Sequence, residues 1–320
     1  MILSNISIFF FSILLSFTMF LVENIYGFDP FYHPDVSTYI FNAPDFDTIS
    51  FSDYFPGQFY FILSSFVNAD YFTLVIINVL VYASTNVVLF QLVSRFPFKN
   101  NLLGLILFLF FVFSPYRIHL SIVPLKDTII IFFVSLLFIN SVLIKFLSFF
   151  SLLGFTIRSF VYVPSFLNFR LNYQAIFFLI LLITIFLLLF DSSLIFDLLS
   201  TESQVDMNFR GYDFVPVFSE FGAFGAFLRF LLWPFLSLTG VYNLFSFNFF
   251  VFIVSISPIF LQLWAFFSFR SFCFPLPVFI SLGILAYLVP GFTSFLRYSL
   301  PLITISPIVF LIIRFDNNAK

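Results

Sequence analysis

The run Ile2–Val22 contains no charged residue. Comparable runs recur along the chain, as at Phe177–Phe190, and they are apolar on all sides rather than alternating. A helix needs about 20 predominantly apolar residues to cross the hydrocarbon core of a bilayer. At that depth every backbone N–H and C=O must pair within the protein, so only helices and closed barrels span. Barrel strands would be about 10 residues long and would alternate apolar with polar positions. All-round apolarity therefore selects helices. Composition agrees: 62% of the 320 residues are hydrophobic and 9% are charged, too few polar groups for the surface of a soluble domain. The expected fold class is all-α, a polytopic transmembrane helix bundle forming one integral membrane domain over residues 1–320.

About eight spans are expected, near 2–22, 71–93, 102–114, 127–144, 174–190, 247–268, 274–289 and 298–313. The first is read as a retained span rather than a signal peptide. No Lys or Arg precedes it, its apolar part is long, and no small-residue cleavage site follows. The stretch 147–168 is apolar but interrupted by Arg158 and Pro164, which suggests a broken hairpin that enters the membrane and returns. Two long segments, about 23–70 and 191–246, become outer loops, and long loops in compact proteins are usually functional. Their apolar patches, Tyr54–Val67 and Phe221–Leu238, read as interfacial helices.

Basic residues orient the bundle. With the N-terminus inside, the inner segments hold Arg95, Lys99, Lys145, Arg170, Arg270, Arg314 and Lys320, seven against five on the outer side. Fourteen of the fifteen acids then fall outside. Both termini are expected to be cytoplasmic. If 147–168 crossed fully, everything after it would invert.

Other features exclude function classes. The formal net charge of −2 does not suit nucleic acid. Cys273 is alone, and His33 and His119 are the only histidines, so no metal site or cofactor is expected. The 61 Phe residues fit nucleotide bias and carry no assigned chemistry.

Charge at membrane depth needs a partner or a role. Arg158 lies mid-run in Gly154-Phe-Thr-Ile-Arg158; it either reaches a phosphate or sugar carboxylate, or forms an ion pair or snorkels. The segment from Ser114 to Asp127 joins two spans, with Pro115 and Pro124 ending the helices on either side. Its Arg117 and Lys126 suit an anion such as pyrophosphate, whereas Asp127 stands where a carboxylate can cap a helix. In the first loop, Asp35 is a candidate general base and His33 a candidate proton carrier. The alternatives are a capping carboxylate and a solvated loop histidine. The large loop carries Arg210 and Arg229, and Arg229 is either a headgroup anchor or a phosphate clamp. Arg297, before the last expected span, opposes the positive-inside trend. Together these groups outline an outer cavity for an amphiphile with a phosphate at the interface. Its basic side chains would stabilise a phosphate leaving group.

The chain resembles the Wzy-type O-antigen and capsule repeat-unit polymerases, membrane glycosyltransferases of the C-type fold. The resemblance rests on His33-Pro-Asp35 to Tyr39, Lys126-Asp127 opening a span, Arg158-Ser-Phe-Val, Leu228–Gly240, and Arg297-Tyr298 with Pro301. It covers most of the chain in layout, through short, degenerate motifs. It implies transfer of a glycan from undecaprenyl pyrophosphate to a new lipid-linked repeat unit, on the periplasmic face of the bacterial inner membrane. The implied partners are that lipid-linked oligosaccharide, membrane lipid and a chain-length regulator protein. Asp35 or His33 would activate the acceptor hydroxyl. Arg and Lys would hold the pyrophosphate. The competing readings are a transferase using a polyprenyl-phosphate monosaccharide, a flippase or other transporter, and a structural membrane subunit. Transport is disfavoured by the lack of an internal repeat.

Overall fold

In the computed structural model, the described residues are 2–27, 29, 33–49, 57–94, 109, 114–139, 141–156, 162, 224–225, 227–231, 276–288, 295 and 297–303. Among them the chain is mostly helical and holds no strand. The main helices are α1 (Ile2–Ile25), α2 (Pro34–Phe41), α3 (Phe59–Phe66), α4 (Tyr71–Ser94), α5 (Pro115–Ser121), α6 (Asp127–Leu136), α7 (Val142–Phe155) and α8 (Leu276–Leu288). A 3₁₀ turn, Phe46–Thr48, lies between α2 and α3.

Among the described residues, two helices are long and apolar enough to cross a membrane, over Ser4–Ile25 and Tyr71–Leu92. Each belongs to a helix of 24 residues, about 36 Å long at 1.5 Å per residue. They pack against each other. The inward face of α1 carries Ser12 and Ser16, both fully buried; small residues let helix backbones approach closely. Ser16 Oγ lies 2.8 Å from Ser121 Oγ on α5. The outward face is apolar, with Phe10 64% and Phe17 57% exposed. On α4, Phe72, Ile76 and Leu80 form a similar outward stripe.

The inward stripe of α4 places Asn78, Tyr82 and Asn86 one turn apart, all buried. Asn78 Nδ2 donates to the carbonyls of Val123 (2.7 Å) and Leu125 (3.0 Å). This ties the segment between α5 and α6 to the bundle. Thr128 Oγ1 adds a bond to the Leu120 carbonyl at 3.0 Å. The buried core around them includes Val36, Tyr39, Tyr60, Leu74, Leu120 and Leu300.

Two expectations are corrected. The run 127–144 is not one span, because α6 ends at Leu136 and α7 begins at Val142. The Ser141 hydroxyl accepts from the Ile144 amide, opening a new helix inside the apolar run. At 10 residues, α6 is about 15 Å long, half of what a crossing needs. The two short helices pack on each other, and α7 also meets α3. The segment from Ser114 to Asp127 is likewise more than a connection between two helix ends. Pro115 starts α5, where a fixed φ and a missing N–H cost nothing, and residues 116–121 are buried.

The first long loop folds over the bundle. Its apolar patch forms α3 as expected, and Ser64 Oγ donates to the Tyr39 carbonyl at 2.6 Å. The Tyr39 and Tyr60 rings lie 4.5 Å apart. The expected spans near 102–114, 174–190 and 247–268, the second half of the hairpin, and most of the loop 191–246 lie outside the described residues.

Candidate functional site

The His33-Pro34 step sets the geometry of the first loop. Pro34 opens α2, so His33 becomes the residue before the helix and Asp35 falls in its first turn. The His33 side chain makes no capping bond to α2, which leaves its ring for another partner. Asp35 is instead engaged by Arg297, 262 residues later: Arg297 Nη2 donates to Asp35 Oδ2 at 2.5 Å. The same nitrogen donates to Tyr298 Oη at 2.9 Å, and the guanidinium sits 4.8 Å from the centre of the Tyr298 ring. Arg297 Nε lies 3.4 Å from Asp127 Oδ2.

One guanidinium thus sits between two carboxylates, which differ in access to water. The Asp127 side chain is 4% exposed and that of Asp35 38%. Asp127 holds the cation in place, while Asp35 offers part of its carboxylate outward. The N-cap of α6 is Lys126, half-buried and without a side-chain cap bond, and Asp127 follows it in the first turn. Burial, then Asp35, raises the pKa of the nearby Tyr39 phenol well above its ordinary value, with Arg297 opposing. Tyr39 is therefore a neutral wall of this corner.

A second ionisable group lies at the start of the same helix. His33 Nε2 and His119 Nε2 are 3.0 Å apart, and His119 Nδ1 is 2.7 Å from Glu23 Oε1. All three side chains are buried. Glu23 ends α1, His33 precedes α2 and His119 lies on α5, so three elements converge. The sequence reading assigned Glu23 and His119 no role. Its available signals were a carboxylate closing the first apolar run and the pairing of only two histidines in the chain.

Arg117 and Arg229 bond to other parts of the bundle. Arg117 is two residues from His119, about 200° around the helix, and faces the bundle. Its Nη2 donates to Asn86 Oδ1 at 3.0 Å, and its guanidinium stands 5.1 Å from the centre of the Tyr82 ring. Asn86 in turn donates to Ser12 Oγ at 3.0 Å. Arg229 is buried, and its Nε donates to the Ala286 carbonyl of α8 at 3.1 Å. Arg158 and Arg210 lie outside the described residues. Among the described residues, no cluster of three or more His, Cys, Asp or Glu has the geometry to hold a metal ion.

Comparison with protein-family models, curated proteins and solved structures found no match.

Chemically, the corner combines an anchored, partly exposed carboxylate with a buried chain of ionisable side chains. Two acids around one base leave it acidic, which suits proton abstraction from a neutral hydroxyl better than the gripping of an anion.

Proposed function

We propose that the chain is a membrane-embedded glycosyltransferase that polymerises lipid-linked oligosaccharide repeat units. The observation that carries this reading is the Asp35 carboxylate, ion-paired with buried Arg297 while its side chain is 38% exposed. A general base needs a fixed position and access to the proton it removes. In the proposed reaction Asp35 takes the proton of an acceptor sugar hydroxyl. The freed oxygen bonds to the anomeric carbon of the donor glycan. The bond from that carbon to the pyrophosphate breaks, and undecaprenyl pyrophosphate leaves with the bonding electrons. Arg297 positions Asp35. Lys126, adjacent to Asp127, is the candidate for contact with the leaving group, and Arg158 and Arg210 remain candidates on sequence grounds.

The reading also includes a multi-pass bundle in the bacterial inner membrane with the site on its periplasmic side. Support comes from the apolar outward faces of α1 and α4, because large exposed apolar patches mark lipid or partner contact. A transferase adding one sugar from a polyprenyl-phosphate donor would use the same base. It differs in product, a single addition instead of a ladder of lengths. Proton-coupled transport is favoured by one observation, the buried Glu23–His119–His33 chain, since buried chains of ionisable groups can move protons.

The test is the surface glycan of a strain lacking the chromosomal gene, complemented with wild type, Asp35→Asn or Asp35→Glu. The expected result is loss of the length ladder with Asp35→Asn, leaving single repeat units, and partial recovery with Asp35→Glu. A full ladder with Asp35→Asn at normal protein abundance overturns the reading. Loss of one sugar from every unit points to the single-addition enzyme. Unchanged glycan with lost proton-driven uptake points to transport.

A further inference from the structure

We propose that α6 and α7 form a re-entrant hairpin, which enters the bilayer from the face that carries the first loop and returns to that same face. The proposal rests on the membrane reading above and on no part of the sugar-transfer chemistry.

The helix lengths exclude two separate crossings. With 10 and 14 residues, α6 and α7 are about 15 Å and 21 Å long, against about 30 Å of hydrocarbon. End to end they would reach about 36 Å, enough for one kinked span. The ends decide between the two arrangements, because a span would put Asp127 and Phe155 on opposite faces.

Both ends meet the first loop instead. At the start of α6, Asp127 holds Arg297, which binds Asp35 of α2. At the end of α7, the Leu153 carbonyl accepts from the Gly57 amide at 2.9 Å. Gly154 lies against the Phe59 ring of α3, so closely that a Cβ there would stand 2.7 Å from Phe59 Cγ. Phe155 meets Phe59 edge-on, with ring centres 5.9 Å apart. Asp35, Gly57 and Phe59 all lie between the end of α1 and the start of α4. The bond from Ser64 to the Tyr39 carbonyl holds α2 and α3 together. With α1 and α4 crossing, this loop keeps to one face of the bilayer, so Asp127 and Phe155 share that face. Between them the chain turns back at the junction of α6 and α7, where the Ser141 amide donates to the Ile139 carbonyl at 2.8 Å.

The hairpin is sunk in the bundle. Asn78, which ties down the segment leading into α6, stands about 10 Å along α4 from its first residue, Tyr71, and α6 packs on α4. On α7, Val142, Leu143, Phe146, Leu147 and Phe150 form one exposed apolar stripe, a surface suited to lipid. Ser148, Leu152 and Gly154 are buried on its other side. The re-entrant element thus falls at 127–155, ahead of the stretch where hydropathy suggests it. Lys145 lies on the hairpin and leaves the set of basic residues assigned to the inner face. Asp127, one corner of the candidate site, stands at the hairpin's mouth.

The experiment uses the full chain in membrane vesicles of both orientations. The background is Cys273→Ser, because Cys273 is the only cysteine. Single cysteines replace Ser4 near the start of α1, Gln58 before α3 and Leu153 near the end of α7. A membrane-impermeant maleimide reads the face of each. Ser4→Cys and Gln58→Cys should react from opposite faces, and Leu153→Cys from the Gln58 face. Reaction of Leu153→Cys from the Ser4 face overturns the hairpin alone. Reaction of Ser4→Cys and Gln58→Cys from one face overturns the crossing of α1, and the hairpin with it. A second measurement does not depend on labelling. A Cβ at position 59 is one bond from Cγ, so Phe59→Cys with Gly154→Cys brings two Cβ atoms within about 4.2 Å, inside the disulfide range of about 3.5–4.5 Å. Oxidation of that double variant should give the bridge, read as a cross-linked peptide by mass spectrometry. No bridge in protein of wild-type abundance overturns the hairpin.

Discussion

Replacing Arg297 with Gln removes the cation that lies between Asp35 and Asp127. Asp35 relaxes into water, since its side chain is 38% exposed, whereas Asp127, 4% exposed, does not. Leaving one partner of a buried pair uncompensated costs about 3–5 kcal/mol. A ceiling follows from protonation, because Asp127 escapes its charge by binding a proton. At pH 7 that costs about 4 kcal/mol for a carboxyl of ordinary pKa near 3.9, at about 1.4 kcal/mol per unit. The expected loss of stability in Arg297→Gln is therefore about 3–4 kcal/mol at pH 7. It should shrink on acidification. The folded variant then binds a proton that the unfolded chain binds only below pH about 4, so its stability relative to wild type rises as pH falls, by up to about 1.4 kcal/mol per unit. Adding Asp127→Asn removes the stranded charge and should restore most of the loss. The assay is reversible unfolding in mixed micelles against the mole fraction of denaturing detergent, followed by far-UV circular dichroism at several pH values. A change below about 1 kcal/mol with no pH slope, or a double variant no better than the single one, would refute the argument.

Asn78→Leu strips a donor from the carbonyls of Val123 and Leu125, of which that of Val123 keeps the Leu125 amide. A buried carbonyl left unsatisfied costs about 1–3 kcal/mol, so the same titration should show a clear loss, and a neutral result would mean that the segment between α5 and α6 is held elsewhere. Asp70 accepts from the Thr73 hydroxyl and amide, bonds that lower its pKa, the hydroxyl more than the amide. This support for the start of α4 is present above the unfolded carboxyl pKa and is lost as pH falls through the lower folded one. Asp70→Ala should speed amide exchange at Thr73 near neutral pH and abolish that pH dependence; unchanged exchange would show that the cap is idle.

Much of the helical layout was legible because its cause is local. The uncharged runs at the start of α1 and along α4 lie within their helices, and the apolar patch of the first loop contains α3. The break inside 127–144 was not legible from hydropathy. A window over that run averages across Ser141, yet one hydroxyl accepting from a nearby amide is enough to open a new helix. Asp35, His33 and Asp127 were legible as unusual charges placed beside helix starts, but their partners were not.

The residues alone determined that the described part of the chain is helical and where its two 24-residue apolar helices run, since backbone satisfaction and apolar length act within a single segment. Tertiary structure decided which ionisable groups meet. Glu23 reaches His119 across 96 residues, His33 reaches it across 86, and Arg297 finds Asp35 across 262. The same packing turned Arg117 into the bundle, away from any site at the rim. Such meetings depend on how far each helix is rotated about its axis and which neighbour it packs on. A nearly uniform apolar surface records neither.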